Sequence, residues 1–372
     1  MGFGMGWSRR RFLVVSGGAA AAGLKGLGQT PAAAQGANAR EAAATMPPPG
    51  VITGGVQPLM VGHTARPLRY KPVDGEFVIR NGGEFFNRPI YGVSSATQAG
   101  DFRVDAGDLP EFSLYLPGHG GNLKLGFIGA GSAGSKWGAQ ADEVIARYRP
   151  GRMIYEIRDA LLGKGMLRAE LLTAGEGQGL MLKVEGKDLP AGTRLAWAFG
   201  GVSGKKGRRG GDIGCEVEPV SRFFQVRAEE CEGNEFKVLP AYGIRSVRVL
   251  SPAAVLQVVS PGESEVSIVG FDSWAKAPGV AAGAVADAPH RPILIGSVEM
   301  RERPMYLSVS RLSDSSRDQE FKAVFVMNAS GDSFAKRSAE VETVAATLKI
   351  ETPDDYVNAA GAALGKIGRA HV

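Results

Sequence analysis

The chain has 372 residues, of which 44% are hydrophobic and 22% charged, an ordinary globular composition that excludes a disordered or fibrous protein. Its 53 glycines and 21 prolines predict many turns, which favours short strands over long helices. The net charge of +5 suggests an acidic partner such as nucleic acid, but Arg9, Arg10, Arg11 and Lys25 supply four of those charges, with no acid before Glu41. The remainder carries only +1, so we expect no nucleic-acid partner.

The first 39 residues resemble a twin-arginine export signal. Paired Arg9 and Arg10 are followed by Phe12 and Leu13, then by a weakly apolar stretch of small residues and an alanine-rich junction. A membrane anchor is the alternative, but a span needs about 20 strongly apolar residues, and Lys25 and several glycines interrupt this stretch. The resemblance predicts export by the twin-arginine machinery, to the periplasm or out of the cell.

A long series of short strands is predicted after a linker. Residues 40–65 are rich in Ala, Gly and Pro, which is typical of a linker. Between residues 66 and 331, apolar or alternating runs are separated by Gly, Pro, Asp and Asn clusters, the turn chemistry of antiparallel strands. The runs are residues 76–79, 112–116, 123–128, 153–157, 180–184, 194–199, 223–226, 255–259 and 321–326. About fifteen such strands with little helical periodicity predict a large antiparallel β-sandwich.

Helical spacing begins only near the end of the chain. Apolar residues between Ser333 and Leu348 fall on one stripe of a helix. A second helix is predicted after Thr352, whose hydroxyl would cap it, with a proline at the first helical position and two aspartates in the first turn. We therefore expect a helical connector and the start of a helical domain at residues 332–366. Residues 367–372 resemble a translated sequencing adapter, which predicts an artefact at the end of a fragment.

Residues 129–134, G-A-G-S-A-G, have the spacing of a dinucleotide-binding fingerprint. That function needs a helix and a second parallel strand to follow. Residues 135–158 instead resemble two strands joined by the turn R-P-G-R. We therefore expect a flexible strand connection and no cofactor, and a nucleotide-dependent oxidoreductase is the alternative.

The loop from Gly200 to Gly214 is rich in glycine and cations and carries Lys205, Arg208, Arg209 and Asp212. It is not a phosphate-binding P-loop, because the glycine spacing is wrong and a lysine replaces the required hydroxyl. Long loops are uncommon without a function, and these cations bind carboxylates and hydroxyls. The loop predicts an acidic or polyhydroxylated ligand, and a merely solvated loop is the alternative.

Two further motifs have structural interpretations. Asp105, Asp108 and Glu111 could bind calcium, but the twelve-residue ligand register is absent, so we expect turn-capping carboxylates. Trp197 shares one strand face with large apolar residues at positions 195 and 199, which predicts a core position rather than a platform for stacking sugars.

The cysteines and histidines give no catalytic signature. Cys215 and Cys231 could be bridged in an oxidising compartment, but two cysteines are no disulfide framework. His63, His119 and His290 lie in no metalloprotease or triad motif. The sequence predicts no metal site and no catalytic residue.

Several stretches resemble the bacterial family of domain of unknown function 4450. They are residues 66–92, 102–118, 146–159, 211–214, 219–225 and 352–360. The resemblance implies a β-sandwich that precedes an (α/α)6 toroid of the six-hairpin glycosidase type, with residues 352–364 as the first toroid helix. The fold class expected is therefore mainly β, a large antiparallel sandwich followed by the first helix of a truncated toroid.

This resemblance also implies a function. Glycoside hydrolysis needs two carboxyl groups beside one bond, and in toroidal glycosidases these lie on the toroid, which this chain lacks. We expect the accessory sandwich of an exported protein that acts on polysaccharide or oligosaccharide, with the missing toroid as its partner and the Gly200–Gly214 loop beside the substrate. A non-catalytic carbohydrate-binding or scaffold sandwich is the alternative. Without the toroid, exposed apolar surface predicts poor solubility.

Overall fold

The fold is known from a computed structural model of the chain. It describes residues 69–91, 102–131, 133–175, 177–206, 220–279, 290–313 and 330–361, and the backbone of residues 59–61 and 64–66. The chain divides into two units, residues 1–53 with 60–64, and residues 54–59 with 65–372. The first unit lies almost entirely outside the described residues, and the architecture below belongs to the second.

Within the described ranges the chain forms twenty strands and two α-helices, and residues 355–361 are also helical. The first ten strands are β1 (Leu59–Val61), β2 (Thr64–Arg66), β3 (Lys71–Val73), β4 (Glu76–Arg80), β5 (Arg88–Tyr91), β6 (Arg103–Ala106), β7 (Glu111–Tyr115), β8 (His119–Ile128), β9 (Ser135–Trp137) and β10 (Glu143–Arg149). The others are β11 (Arg152–Arg158), β12 (Met166–Thr173), β13 (Gly179–Lys187), β14 (Arg194–Val202), β15 (Glu235–Leu239), β16 (Ile244–Leu250), β17 (Val255–Pro261), β18 (Glu265–Gly270), β19 (Pro292–Glu299) and β20 (Met305–Arg311). The helices are α1 (Val220–Phe223) and α2 (Gly331–Ala345).

The strands pair into two large sheets. The ten-stranded sheet has the order β15-β16-β17-β20-β13-β12-β11-β10-β4-β3, and the eight-stranded sheet has the order β18-β19-β14-β8-β7-β6-β5, with β9 paired to β8. Every pairing within these two sheets is antiparallel. The predicted fold class, a mainly β antiparallel sandwich, is confirmed.

Tight turns with glycine at left-handed positions join neighbouring strands. Asp74 and Gly75, between β3 and β4, have φ values of 51° and 76°, typical of a two-residue hairpin. Pro150 and Gly151 connect β10 to β11, and the glycine has φ 84°, as expected when proline precedes glycine in a type II turn. The predicted R-P-G-R turn is therefore confirmed. Residues 129–134 likewise connect β8 to its antiparallel neighbour β9, without the helix that a dinucleotide site needs.

The inward side chains of both sheets form one apolar core. The eight-stranded sheet contributes Leu123, Leu125 and Phe127 from β8 and Leu195, Trp197 and Phe199 from β14. The ten-stranded sheet contributes Met153, Tyr155 and Ile157 from β11 and Leu180, Leu182 and Val184 from β13. Trp197 is 1% exposed, which confirms its core position. Its strand neighbour is Gly296, where a Cβ would lie 2.3 Å from the indole, so only glycine leaves room for the ring.

Helix α2 covers part of the outer face of the ten-stranded sheet, where a helix was predicted. Its Phe334 and Val341 pack against Leu172 and Met181 of β12 and β13. Ser330 caps the helix by accepting a hydrogen bond from the backbone of residue 333. The second predicted helix begins at residue 355, later than expected. Oδ1 of Asp354 accepts hydrogen bonds from the backbone N–H groups of residues 356 and 357, so Asp354 caps the helix in place of Thr352.

The outer face of the eight-stranded sheet is covered by α1 and the residues that follow it. Residues 223–226 were predicted to form a strand, which is wrong: α1 ends at Phe223 and a turn follows. Their apolar character has another cause, because Phe223, Phe224 and Val226 are at most 5% exposed against the sheet. The strand predicted at residues 321–326 lies outside the described residues.

Candidate functional site

The predicted ligand loop is described only as far as residue 206. Lys205 is its one predicted contact residue within the described ranges, and Arg208, Arg209 and Asp212 lie outside them. The signal residues also lie outside them, namely Arg9, Arg10, Phe12 and Leu13. The site is therefore built from Lys205 and the residues that surround it.

Two backbone hydrogen bonds fix the base of the loop beside β8. The N–H of His119 donates to the carbonyl of Lys205, and the N–H of Gly204 donates to the carbonyl of His119, both at 2.8 Å. Gly204 has φ 67°, and a Cβ there would lie 2.5 Å from the Cβ of Ala253, so glycine permits this close approach. The backbone thus determines where the Lys205 side chain starts.

The side chain of His119 is fully buried and lies between an amide and a carboxylate. Its Nε2 is 3.0 Å from Oδ1 of Asn122, and its Nδ1 is 3.4 Å from Oε2 of Glu230, without an aligned hydrogen bond. Asn122 uses Nδ2 to donate to Glu111 Oε1 at 3.0 Å and to the Phe224 carbonyl at 2.8 Å. The amide oxygen therefore faces the imidazole, and Nε2 must carry a proton.

Glu230 connects this histidine to Lys205. Its Oε1 lies 3.6 Å from Lys205 Nζ, and its Oε2 accepts the backbone N–H of Arg227 at 3.2 Å. We call Asn122, His119, Glu230 and Lys205 the polar chain. Its members come from β8, from the loop base and from a 3₁₀ turn at Ala228–Cys231, so the fold brings together residues more than a hundred positions apart.

Aromatic rings enclose the polar chain. The Lys205 ammonium lies 4.9 Å from the centre of the Phe223 ring, a cation–π distance. Phe224 packs edge-on against the His119 ring, 5.9 Å between centres, and against Tyr115, 6.1 Å between centres. These rings exclude water, which strengthens the charge interactions beneath them.

Glu230 is held as a carboxylate. Its burial acts to raise its pKa, but the contact and positive charge of His119, the Arg227 N–H and Lys205 outweigh that effect and hold the pKa below its ordinary value. At neutral pH the group therefore carries the negative charge that Lys205 faces.

The other two carboxyl groups on this face are shifted the opposite way. Burial raises the pKa of Glu111, against the hydrogen bond from Asn122 and the charge of Lys124. Burial also raises the pKa of Asp105 to about 6, although Arg103 Nε donates to it at 3.0 Å. Neither residue is more than 9% exposed.

Of the four residues of the polar chain, Lys205 is the one whose side chain reaches the surface. The Lys205 side chain is 30% exposed, whereas the carboxylates beneath it are buried. An ammonium held in this way can donate hydrogen bonds to a carboxylate or a hydroxyl of a ligand. No group of three His, Cys, Asp or Glu side chains in the described part of the chain is arranged to bind a metal ion.

The aspartates considered for calcium are structural, but they do not cap turns. Asp108 is fully buried and accepts hydrogen bonds from the Arg69 guanidinium, the Tyr70 hydroxyl and the backbone N–H of Glu84, the last at 2.9 Å. It joins the segment before β3 to the β6–β7 turn. Asp105 pairs with its own strand, so the carboxylates do not converge on one point.

Neither the cysteines nor the remaining histidines belong to the polar chain, although Cys231 adjoins Glu230 in the same 3₁₀ turn. Cys231 is a buried free thiol whose pKa is raised by burial to about 12, and Cys215 lies outside the described residues. His290 is exposed, and His63 lies outside the described ranges.

A groove of about 460 Å³ lies where α2 ends beside the turns of the ten-stranded sheet. Its lining includes Asp74, Arg149, Glu342, Leu348 and Lys349. Arg149 is paired with Glu342 across it at 3.3 Å. The groove therefore presents mixed charge beside an exposed apolar side chain.

The fold defines a class: a two-sheet antiparallel sandwich with a short helix over one sheet and a longer helix over the other. The model of the family "Domain of unknown function (DUF4450)" matches residues 116–324, more than half of the chain. The chain belongs to this family, as the sequence resemblance implied.

Two solved structures are similar to the chain at low identity. A bacterial glucoamylase complexed with acarbose is 11% identical, with a TM-score of 0.43, over 79% of this chain and 40% of that one. A human-microbiome protein assigned as a kojibiose phosphorylase is 8% identical, with a TM-score of 0.33, over 82% of this chain and 38% of that one. The chain thus spans about two fifths of the length of either structure. No curated protein matches it.

None of the helices in the described part of the chain is both long and apolar enough to cross a membrane.

Sequence reasoning proposed Lys205 as a ligand contact, which stays a prediction, and did not single out the residues that surround it. Asn122, His119 and Glu230 come together only through sheet pairing and the covering turn, so no local spacing connects them. The available sequence signal was H-G-G-N at residues 119–122, at the start of β8. This combination corresponds to no functional motif.

Proposed function

We propose that the chain is the accessory β-sandwich of an exported glycoside-hydrolase-like protein that acts on polysaccharide or oligosaccharide. The catalytic carboxylates belong to an (α/α)6 domain of the same protein. The observation that carries this proposal is the packing of α2 on the ten-stranded sheet, followed by a second helix at residues 355–361. The saccharide part rests on the architecture that the family resemblance implies, which is an inference by analogy.

In this proposal the Gly200–Gly214 loop borders the substrate, and Lys205, Arg208, Arg209 and Asp212 contact it. What supports Lys205 is its partly exposed ammonium beside an aromatic ring. Ammonium and guanidinium groups bind hydroxyl and carboxylate oxygens, the groups that saccharides offer.

The test uses the full-length protein of this proposal, in which the sandwich and the (α/α)6 domain are present together. Sugar release from a panel of neutral and uronic-acid polysaccharides is measured for this protein and for its Arg208→Ala/Arg209→Ala variant, with Lys206→Ala as the control. We expect the double variant to raise KM about tenfold, the effect of losing about 1.4 kcal/mol of binding. Unchanged KM and kcat would remove the loop from the substrate site.

Export by the twin-arginine route is part of the same proposal. Replacing Arg9 and Arg10 together by lysine should keep the precursor inside the cell, whereas replacing Arg11 alone should not. Immunoblots of periplasmic and cytoplasmic fractions measure the difference, and equal export of both variants would contradict the route.

The second candidate is a non-catalytic carbohydrate-binding or scaffold sandwich. The observation that favours it is that the site presents one positioned cation, while the carboxylates around it are buried. The same full-length protein is tested for saccharide binding and for sugar release. Binding without sugar release would favour this candidate over the first.

A further inference from the structure

The polar chain places ionised groups where apolar side chains would also fit. Burying charges among aromatic rings is unfavourable unless they are paired, and replacing a buried ion pair by apolar residues is often neutral or stabilising. Asn122 and Glu230 also hold the covering segment, through the Phe224 carbonyl and the Arg227 N–H. Their arrangement with His119 has a further geometric result, which is a constrained position for Lys205.

The protons of the polar chain follow from its hydrogen bonds. Nε2 of His119 donates to Asn122, because the amide nitrogen of Asn122 is committed to two other acceptors. Nδ1 then faces the Glu230 carboxylate, 3.4 Å from Oε2. His119 and Glu230 are thus direct neighbours in the buried interior.

These two residues constrain Lys205 from two sides. Glu230 presents its second oxygen to the Lys205 ammonium at 3.6 Å, while the backbone of His119 holds the backbone of residues 204 and 205. The Phe223 ring limits the side chain on a third side. Lys205 therefore has little rotamer freedom left to lose when a ligand binds, which favours affinity.

We infer that His119 and Glu230 are positioning residues that hold the Lys205 ammonium in one orientation for an oxygen-rich anionic or hydroxylated ligand. The identity of that ligand as a saccharide rests on the proposed function. The positioning itself does not, so the two are tested separately.

Cys231 reports on the positioning, because it is fully buried and next to Glu230 in the same 3₁₀ turn. In the full chain carrying Cys215→Ser, its labelling by an aromatic disulfide reagent is followed without denaturant. We expect Glu230→Gln and His119→Gln to label at least tenfold faster than the parent. Glu229→Gln, the exposed neighbour of the same type, is the matched control and should not change the rate. Equal rates for Glu230→Gln and Glu229→Gln would overturn the inference.

Ligand affinity tests whether Glu230 acts through Lys205. Calorimetry with an oligogalacturonate and with maltohexaose compares Lys205→Met, Glu230→Gln, their double variant and the control Lys206→Met. Positioning predicts that each single change weakens the tighter of the two ligands about tenfold and that the double variant weakens it no further. Lys205→Met alters only the surface end, so it remains informative where a buried variant does not fold.

Each outcome has one meaning. Additive losses in the double variant would show that Glu230 stabilises the fold without acting through Lys205, and would overturn the inference. If neither saccharide binds the parent, the acetylation rate of Lys205 relative to Lys206, measured by mass spectrometry, decides the positioning. A rate that changes in Glu230→Gln but not in Glu229→Gln supports it while the proposed saccharide function fails, and an unchanged rate overturns the inference.

Discussion

Burial of the Asp105 carboxyl group disfavours its charged form. It is 1% exposed, and burial raises its pKa from 3.8 to about 6. Because the pKa in the folded state lies above that of the unfolded chain, the group's contribution to stability is complete below about pH 3.8 and is lost as the pH rises through about 6. A shift of about two units corresponds to about 3 kcal/mol between these limits.

We predict that Asp105→Asn raises the free energy of unfolding at pH 7 by about 1 kcal/mol, less than the full shift because Arg103 keeps only a neutral acceptor. The variant should also flatten the pH dependence of stability between about pH 4 and 6. Urea unfolding followed by tryptophan fluorescence at several pH values measures both effects. Asp74→Asn, the same change at an exposed turn position, is the control. A variant that is less stable at pH 7, with an unchanged pH slope, would contradict the prediction.

Gly296 offers a steric test of the core. A Cβ there would meet the buried indole of Trp197 at 2.3 Å, and the ring is closely packed on all sides. We predict that Gly296→Ala lowers the free energy of unfolding by about 3 kcal/mol, through overpacking. Gly192→Ala is a poor control because its φ is 83°, whereas Gly83 has open space and an ordinary φ. Equal stability of Gly296→Ala and Gly83→Ala, in urea, would refute the steric argument.

At the scale of elements, α2 is attached to the sandwich by both apolar and polar contacts. Phe334 is 5% exposed and packs on Tyr306 with 5.8 Å between ring centres. Arg337 is 2% exposed and donates two hydrogen bonds to Thr173. Its Nε donates to the carbonyl at 3.1 Å, and its Nη2 donates to the side-chain hydroxyl at 2.9 Å. Such a buried guanidinium fixes the helix in one register over β12.

We predict that Phe334→Ala lowers the free energy of unfolding by about 3 kcal/mol, as expected when a buried ring is removed. Lys336→Gln, at an exposed position of the same helix, should change it by less than about 0.5 kcal/mol. Thermal and urea unfolding measure both variants. If Phe334→Ala behaves like Lys336→Gln, α2 is not part of the cooperative fold.

Strand positions were predictable from the sequence where alternation and turn residues agreed, as at β8, β11 and β14. The error at residues 223–226 arose because a short apolar run has the same residue pattern whether it forms a strand of a sheet or packs across the face of one. The polar chain was not predictable, because Asn122 and Glu230 are joined to His119 only by the folded sheet. The glycine-rich stretch at residues 129–134 was predicted to connect strands because the R-P-G-R turn, which lies between β10 and β11, indicated antiparallel strands rather than a crossover helix.

At the scale of the whole molecule, apolar side chains remain exposed where the chain leaves the sandwich. Leu348 is 39% exposed beside the groove, and Val357 is 43% exposed on the following helix. Exposed apolar side chains favour association when they form a contiguous patch. The expectation of poor solubility for the chain alone stays a prediction.

We predict that the chain alone self-associates as its concentration rises and that Leu348→Lys reduces this association. Ala339→Lys adds the same charge at an exposed position of α2 away from the groove and should have a smaller effect. Sedimentation velocity across a concentration series measures the result. A parent chain that stays monomeric throughout would contradict the prediction.

The outermost strands of both sheets have a further consequence for assembly. Among the described strands, those at the ends of the sheets carry Pro72 in β3, Pro89 in β5, and exposed charges in β15 and β18. Proline removes a backbone hydrogen-bond donor, and charged side chains at a sheet edge disfavour pairing with a strand of another molecule. Lateral growth into fibrils is thereby disfavoured. A partner protein binds more readily through side-chain contacts than by adding a strand to either sheet.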